Sequence, residues 1–543
     1  MLQCIKILVN VFLLIPVINT NLVEVHQGKI LGHKLTTWQG KPFYAYQEIP
    51  YAAPPIGNRR FKDPAEPQKW TGILNATRNT KMCIQPIPQQ DLQDLQLTED
   101  CLYINVYTPV SEINPINSLP VLVWIHGGAF TFESGTLQYY DPKYLMDYDI
   151  IVVTFNYRLG VFGFLATSDG TIPGNFGLKD QLMAIRWVNK NIHLFGGDKN
   201  RVTVMGDSAG AMSASYMQHN PLTKGLVKGY ILGCGTSLSP ASYQRDPDHF
   251  AFKLARLVDR NFNSTKSSDL LKLLRRVSAR EIARAPVDND RYFSTLSKVV
   301  LWAPVLERKH TVESLRRGEF DRVPILMGTV GEEAFNLLPD REALLQEARK
   351  FDRSKGIINP KLDIPARYYR ELSRLYKSIY TNGTFEENIR ALITFIGEDE
   401  ISTPAIHYAA LASKFTPVYF WVFSYKGLMG RTPANFNAPG HTDELQYIFG
   451  GKSGLRGTPA DYPKADRLVM ARLLKLWTNF VKYQNPTPVN DELLEGIQWP
   501  KVNSRTMQYL DINNTLSIKR YPKHYKEVKE IFCKYSLPLQ YNV

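Results

Sequence analysis

The sequence predicts an α/β fold, with a mostly parallel central sheet covered by helices on both faces. Three observations carry this. Short runs rich in β-branched and aromatic residues recur at 120–125, 150–155, 202–205, 229–232, 324–327 and 417–423. They are apolar throughout rather than alternating, as strands buried on both faces must be. Between them lie stretches with helical spacing of apolar residues, such as 184–191 and 467–483, and strands that alternate with helices build parallel sheets.

The elements follow in chain order. Residues 120–125 (Pro-Val-Leu-Val-Trp-Ile) and 150–155 (Ile-Ile-Val-Val-Thr-Phe) read as buried strands, followed by the helical pattern at 184–191. Residues 202–205 form the next strand, and the Ala-, Ser- and Met-rich stretch after it suits a helix. Strands at 229–232, 324–327 and 417–423 complete the sheet. In 467–483, Leu468, Val469, Leu473, Leu476, Trp477 and Phe480 suit a core-packed helix better than a basic membrane-seeking one. No repeat, low-complexity tract or Pro/Gly/Ser-rich linker divides the chain, so residues 21–543 are expected to form one domain.

Composition agrees with a large soluble protein: of 543 residues, 44% are hydrophobic and 21% charged. The net charge of +14 comes from scattered residues rather than a basic tract, which reads as a solvated surface and not as a nucleic-acid interface. Lys6, an apolar run over 7–16 broken by Asn10, and polar Asn19-Thr20-Asn21 read as a signal peptide over residues 1–20. The run is too short to span a bilayer. The last residues, 536–543, match neither a lipid-anchor addition signal nor an ER-retention signal, so a secreted, extracellular product without a stable membrane anchor is expected. No feature of the sequence sets an oligomeric state.

Removal of Cys4 with the signal leaves Cys83, Cys101, Cys234 and Cys533, which allow three pairings. Cys83 and Cys101 enclose a short polar loop that suits an oxidised surface, and closing such a loop contributes roughly 3 kcal/mol. Cys234 lies in an apolar run and reads as a buried free thiol. Asn75, Asn263, Asn382 and Asn513 each begin a glycosylation triplet, in keeping with the secretory route.

Loops at the carboxyl ends of parallel strands carry the chemistry of such folds. Gly206-Asp207-Ser208-Ala209-Gly210 lies between a strand and a helix-compatible stretch, the setting of a nucleophile elbow. Its glycines allow a turn tight enough to project the Ser208 hydroxyl above the sheet. A serine needs a base, and the base an orienting acid. Among the ten histidines, His441 follows Ser208 in a loop flanked by Gly440 and an acidic pair; its rivals are His310, in a charged segment, and His407, in an apparent helix. For the acid, Glu332 and Glu333 both follow a strand and chemistry does not choose between them. Asp443 and Glu444 lie too close in sequence to His441 to reach its far nitrogen. Ester hydrolysis also needs fixed N–H donors for the oxyanion. The His126-Gly127-Gly128-Ala129 loop and Ala209 are donors of the expected kind.

With these residues assembled, the chain resembles the type-B carboxylesterase/cholinesterase family over nearly all of its mature length. The likeness is carried by Glu-Asp-Cys-Leu-Tyr-Ile-Asn-Val at 99–106, Asn-Tyr-Arg-Leu-Gly-Val-Phe-Gly-Phe at 156–164, Gly-Asn-Phe-Gly-Leu-Lys-Asp-Gln at 174–181 and Asn-Lys-Asn-Ile-His-Leu-Phe-Gly-Gly-Asp at 189–198. The resemblance implies the α/β-hydrolase fold and a serine esterase acting on small-molecule esters, with no metal and no cofactor. It implies Ser208 as nucleophile, Glu333 as acid and His441 as base. Gly128, Ala129 and Ala209 become oxyanion donors, with Gly127 shaping the loop. It pairs Cys83 with Cys101, and makes Arg60–Glu99 and Arg158–Asp180 structural ion pairs.

Two departures narrow the expectation. Cholinesterases place a tryptophan for the choline cation in the loop closed by the first disulfide, yet residues 84–100 contain no aromatic, so acetylcholine is a poor substrate. Cys234 stands where the family has a serine supporting the acid, and a thiol is the weaker donor. The pattern is nearest to insect-type secreted carboxylesterases. Juvenile hormone esterases share much of it but carry Gln where Asp207 stands. A cholinesterase-like adhesion protein is the alternative from another class; such members generally lack part of the triad, whereas all three residues are present here.

Overall fold

The computed structural model describes residues 21–87, 94–110, 118–287, 300–305, 308–335, 341–353, 366–433 and 435–534. The signal segment 1–20, the tail 536–543 and the side chains of His310 and Cys533 lie outside the described residues.

The largest sheet has eleven strands. In chain order these are β1 (His33–Thr36), β2 (Pro42–Pro50), β3 (Tyr103–Thr108), β4 (Leu119–Ile125), β5 (Ile151–Phe155), β6 (Gly197–Asp207), β7 (Gly229–Gly233), β8 (Ile325–Val330), β9 (Val418–Phe423), β10 (Gln508–Ile512) and β11 (Leu516–Arg520). Across the sheet they run β11-β10-β9-β8-β7-β6-β4-β5-β3-β2-β1. From β5 to β10 every ladder is parallel, and the antiparallel strands sit at the two edges.

All six predicted strands lie inside this parallel stretch, each within a residue or so of its expected start except β6, which begins earlier, at Gly197. The edge strands escape a search for continuous apolar runs, because they alternate or fade: β1 is nowhere fully buried and β11 becomes exposed along its length.

In β9 all six residues are buried. Tyr419 and Trp421 meet Phe480 and Trp477 of one helix, while Val418, Phe420 and Val422, which point the other way, are buried too. Both faces are therefore covered. The helices that matter for the site are α1 (Phe176–Asn191), α2 (Ala209–His219), α3 (Thr403–Ala412) and α4 (Lys464–Tyr483). In α4, Val469, Leu473, Leu476, Trp477 and Phe480 are buried and only Leu468 of the predicted set is exposed, so this helix belongs to the core. Among the described residues no helix is long and apolar enough to cross a membrane.

Cys83 and Cys101 form a disulfide, and the short strand Lys81–Cys83 that ends at it pairs with Gln96–Thr98 inside its loop. Arg60 grips Glu99 through two bonds of 2.6 Å and also donates to the carbonyls of Leu274 and Val277. Arg158 and Asp180 are both buried, joined by Nε–Oδ2 and Nη2–Oδ1 bonds of 2.8 and 2.6 Å plus the Arg158 amide. Each charge is met by a charge and by further hydrogen bonds, the condition for burying an ion pair without a large penalty. Asn75, Asn263 and Asn382 are exposed and Asn513 is partly so.

Candidate active site

The order of parallel strands reverses between β6 and β4, and a crevice opens at such a switch point. Gly206 of β6 lies opposite Ile125 of β4, and Asp207 opposite Gly233 of β7. The elbow, the His126–Ala129 loop and Cys234 thus leave the sheet side by side.

Ser208 occupies φ 55°, ψ −124°, a combination that costs on the order of 1–3 kcal/mol for a residue with a side chain. The flanking glycines explain how the turn closes. A Cβ on Gly206 would stand 2.3 Å from the Gly210 carbonyl, and one on Gly210 would stand 2.1 Å from the carbonyl oxygen of Ile125. The motif therefore packs the start of α2 directly against the end of β4. Left-handed, non-glycine backbone recurs around the same spot: Ala129, Phe130, Glu133, Ser208, Cys234 and Thr442.

His441 Nε2 lies 2.9 Å from Ser208 Oγ, and His441 Nδ1 lies 2.7 Å from Glu333 Oε2. Glu333 is buried, and its other oxygen accepts the amide of Val330 at 3.0 Å. The two open choices are thereby separated. Glu332 turns away and accepts from Thr394 Oγ1 at 3.2 Å. His407 is buried in α3 with Nδ1 3.3 Å from the Tyr525 hydroxyl.

Asp443 has a role that sequence reasoning missed. Its carboxylate accepts the amides of Arg431, Thr432 and Gly440 at 2.7, 3.2 and 3.0 Å, pinning the loop that carries His441. The signal was its place two residues after His441, near enough to hold the loop though not to reach the ring.

The Gly127–Ala129 loop lines the same cavity as Ser208 and Ala209. Among the described residues, the amides of Gly128, Ala129 and Ala209 make no hydrogen bond to the protein. The loop is held from behind. The Tyr157 ring stacks on His126 at 4.4 Å, and its hydroxyl donates to the His126 carbonyl at 2.9 Å. Burial drives the His126 pKa down to about 3, so the ring is neutral, and its Nδ1 lies 3.0 Å from the Gly127 carbonyl. That carbonyl can only accept, which assigns the ring proton to Nδ1.

Cys234 is a buried free thiol, and its hydrogen bond goes to Glu444 Oε1 at 3.3 Å. The resemblance had implied support for Glu333; the thiol instead serves a second, buried acidic pair, Asp207 and Glu444. Burial pushes the Asp207 pKa well up and, with the charge of Glu333, raises Glu444 as well. Burial likewise raises the Cys234 thiol. Ligand atoms of Asp207, Cys234 and Glu444 lie within 4.8 Å of one another, but groups that keep their protons make poor cation ligands.

The rest of the cavity wall comes from segments far apart in sequence: Phe132, Glu133, Tyr140, Met212, Ala241, Val300, Arg431, Leu445 and Ser453, with Ile401 from the π-helical turn Glu398–Ser402. No local pattern marks these residues, which is why the sequence placed none of them.

Comparison with known proteins agrees with this architecture. The juvenile hormone esterase of Tribolium castaneum is 32% identical over 89% of this chain and 88% of its own length. The para-nitrobenzyl esterase of Bacillus subtilis is 31% identical over 94% of this chain and 98% of its own. The crystal structure of juvenile hormone esterase from Manduca sexta, with OTFP covalently attached, superposes with a TM-score of 0.82 at 26% identity, covering 95% of this chain and 99% of that one. Residues 19–530 match the carboxylesterase family, and the chain belongs to it.

Proposed function

We propose that this protein is a secreted serine carboxylesterase that hydrolyses small carboxylic esters through an acyl-enzyme intermediate. The observation that carries the reading is the unbroken line from Glu333 through His441 to Ser208, with hydrogen bonds of 2.7 and 2.9 Å. Ser208 Oγ attacks the acyl carbon while His441 Nε2 takes its proton. Glu333 holds the ring in the tautomer with a proton on Nδ1 and balances the imidazolium that forms. The negative charge on the carbonyl oxygen is met by the free amides of Gly128, Ala129 and Ala209, while Gly127 shapes the approach. Collapse of the tetrahedral species releases the alcohol, which takes the proton from Nε2. Water then repeats the sequence on the acyl-enzyme, using the same base. No step calls for a metal or cofactor.

Residues 1–20 would be removed on export, leaving 21–543 as one catalytic domain carrying glycans at some or all of Asn75, Asn263, Asn382 and Asn513. A juvenile-hormone-type esterase is the narrower alternative, supported by the relatives from Tribolium and Manduca. Asp207, where those enzymes generally have Gln, speaks against it.

The test is covalent labelling. A reactive phosphonate should label the purified protein once, and Ser208→Ala should abolish both labelling and turnover of a short-chain aryl ester. Labelling that survives the substitution would place the nucleophile elsewhere. Tight binding of a cell-surface partner, with no hydrolysis across a broad ester panel, would favour the adhesion reading.

A further inference from the structure

The catalytic cavity has a polar corner that the acyl-transfer steps do not use, formed by Glu133, Tyr140, Arg431 and Ser453. We propose that Glu133 and Arg431 form the leaving-group subsite, selecting alcohols that carry a second, uncharged oxygen close to the ester. This rests on the esterase reading of Ser208.

The side of the cavity follows from the proton transfer. The departing alcohol takes its proton from His441 Nε2, so it must lie on the histidine side. Arg431 and Ser453 belong to the segments flanking His441. Asp443 binds the amides of both Arg431 and Gly440, which fixes the position of Arg431 relative to the catalytic ring. The lining residues Met212, Ala241, Val300 and Ile401 are apolar and are left for the acyl group.

Glu133 is placed there at a conformational cost. Its φ is 80°, a value that a residue with a side chain rarely adopts unless its surroundings impose it. The buried Gln85 imposes it. Gln85 Oε1 accepts the Glu133 amide at 2.8 Å, and its Nε2 donates to the Glu133 carbonyl at 2.9 Å and to the Cys83 carbonyl at 3.0 Å. The disulfide loop, which has no aromatic to offer a cation, instead clamps a carboxylate beside the nucleophile.

The carboxylate itself is largely occupied. Tyr140 donates its hydroxyl to Oε2, and Ser453 donates to Oε1 at 3.2 Å. Its charge therefore acts on Arg431, which stands at the mouth of the cavity. Arg431 donates through Nη2 to the Lys452 carbonyl, and among the described residues its guanidinium is in no ion pair. A guanidinium has five N–H donors, so most remain for a ligand. One positive and one negative group leave the corner close to neutral. A quaternary ammonium would be repelled by Arg431, and a plain alkyl chain would offer the guanidinium no acceptor of its own. An ether or hydroxyl oxygen satisfies it.

The experiment compares two butyrate esters of equal size, 2-hydroxyethyl butyrate and propyl butyrate, with choline butyrate as the cationic arm. Rates are corrected for hydroxide-catalysed hydrolysis of each ester, and the enzyme is counted by phosphonate titration. A hydrogen bond to a charged donor predicts kcat/KM about tenfold higher for the hydroxyethyl ester than for the propyl ester. Choline butyrate should fall below the hydroxyethyl ester. Arg431→Met, and separately Glu133→Gln, should bring the hydroxyethyl-to-propyl ratio close to one. A ratio near one in the wild type, a ratio that persists in both variants, or a choline ester turned over fastest overturns the subsite while leaving the esterase intact. A protein that is neither labelled by the phosphonate nor active on any ester refutes the esterase reading, and the subsite with it.

Discussion

Gly210→Ala is the sharpest test of how the elbow works. The new Cβ would lie 2.1 Å from the Ile125 carbonyl oxygen and 2.8 Å from that of His126. Both are backbone atoms at the end of β4, so no side-chain rotation relieves the clash. A carbon–oxygen contact settles at roughly 3.3 Å, so the start of α2 and the end of β4 must separate by about 1 Å. That is the boundary between Ser208 and the Gly127–Ala129 loop, and the shift moves Ser208 Oγ, the proposed nucleophile, away from the proposed oxyanion donors. A misplacement of this size costs on the order of 100-fold, and a lost oxyanion donor about 100- to 1,000-fold. The expected result is a fall of at least about 100-fold in kcat/KM for p-nitrophenyl acetate, with slowed phosphonate labelling, in protein whose circular dichroism and cooperative thermal transition match the wild type. Gly225→Ala supplies the control, because Gly225 also has a left-handed φ of 83° but its added Cβ meets nothing within 4 Å. It should lose some stability and leave turnover as it was. A folded Gly210→Ala protein within about fivefold of wild-type activity would refute the link between elbow packing and catalysis.

Three further outcomes are expected. Glu333→Gln keeps the shape of the side chain but removes the charge that orients His441, and should lower kcat by about 1,000- to 10,000-fold, the scale seen when a triad acid is neutralised; a loss under tenfold would mean that another group orients the ring. Ser208→Gly should be inactive yet more stable than the equally inactive Ser208→Ala, by about 1 kcal/mol in chemical denaturation, since only glycine relieves the φ 55°, ψ −124° backbone and part of that relief is offset by unfolded-state entropy; equal stability would argue against strain at the elbow. For pH dependence, burial raises Glu444 to about 7 in the folded protein from about 4.5 when exposed, so the native state holds the extra proton and stability falls as pH rises through that window; Glu444→Gln should flatten this slope, and an unchanged slope would show that Glu444 does not govern it.

How much was legible depended on whether a feature was local. The parallel strands are short, apolar and bounded by turn residues, so each could be read alone; the edge strands β1 and β11, half-solvated, carry no such mark. The Gly206–Gly210 turn was legible because steric demands put both glycines within two residues of Ser208. His441 was harder, since one histidine in ten had to be chosen from its flanks. Glu332 and Glu333 were indistinguishable by chemistry, and the family resemblance chose Glu333. What separates them in space is the backbone after β8, which directs Glu333 to His441 and Glu332 to Thr394. The cavity wall was invisible because its residues meet only after the chain has folded.

The carboxylates packed around the histidine bring these strands together. Glu133, Asp207, Glu333 and Glu444 all crowd one small, poorly solvated region beside His441. Four full negative charges there would repel one another strongly and over-stabilise the imidazolium, which must give its proton back within each turnover. The structure avoids this by unequal treatment. The Cys234 thiol donates to Glu444, burial and the charge of Glu333 drive Glu444 toward its protonated form, and burial and the charge of Glu444 drive Asp207 toward its own. Glu133 is also pushed up by burial, but two hydroxyls and the charge of Arg431 oppose the shift. Glu333 hydrogen-bonds the ring directly, so the proposed proton transfer works against one ionised carboxylate instead of a diffuse negative field. A cavity arranged this way can place a cation, Arg431, at its mouth without competing for the charge that the base requires.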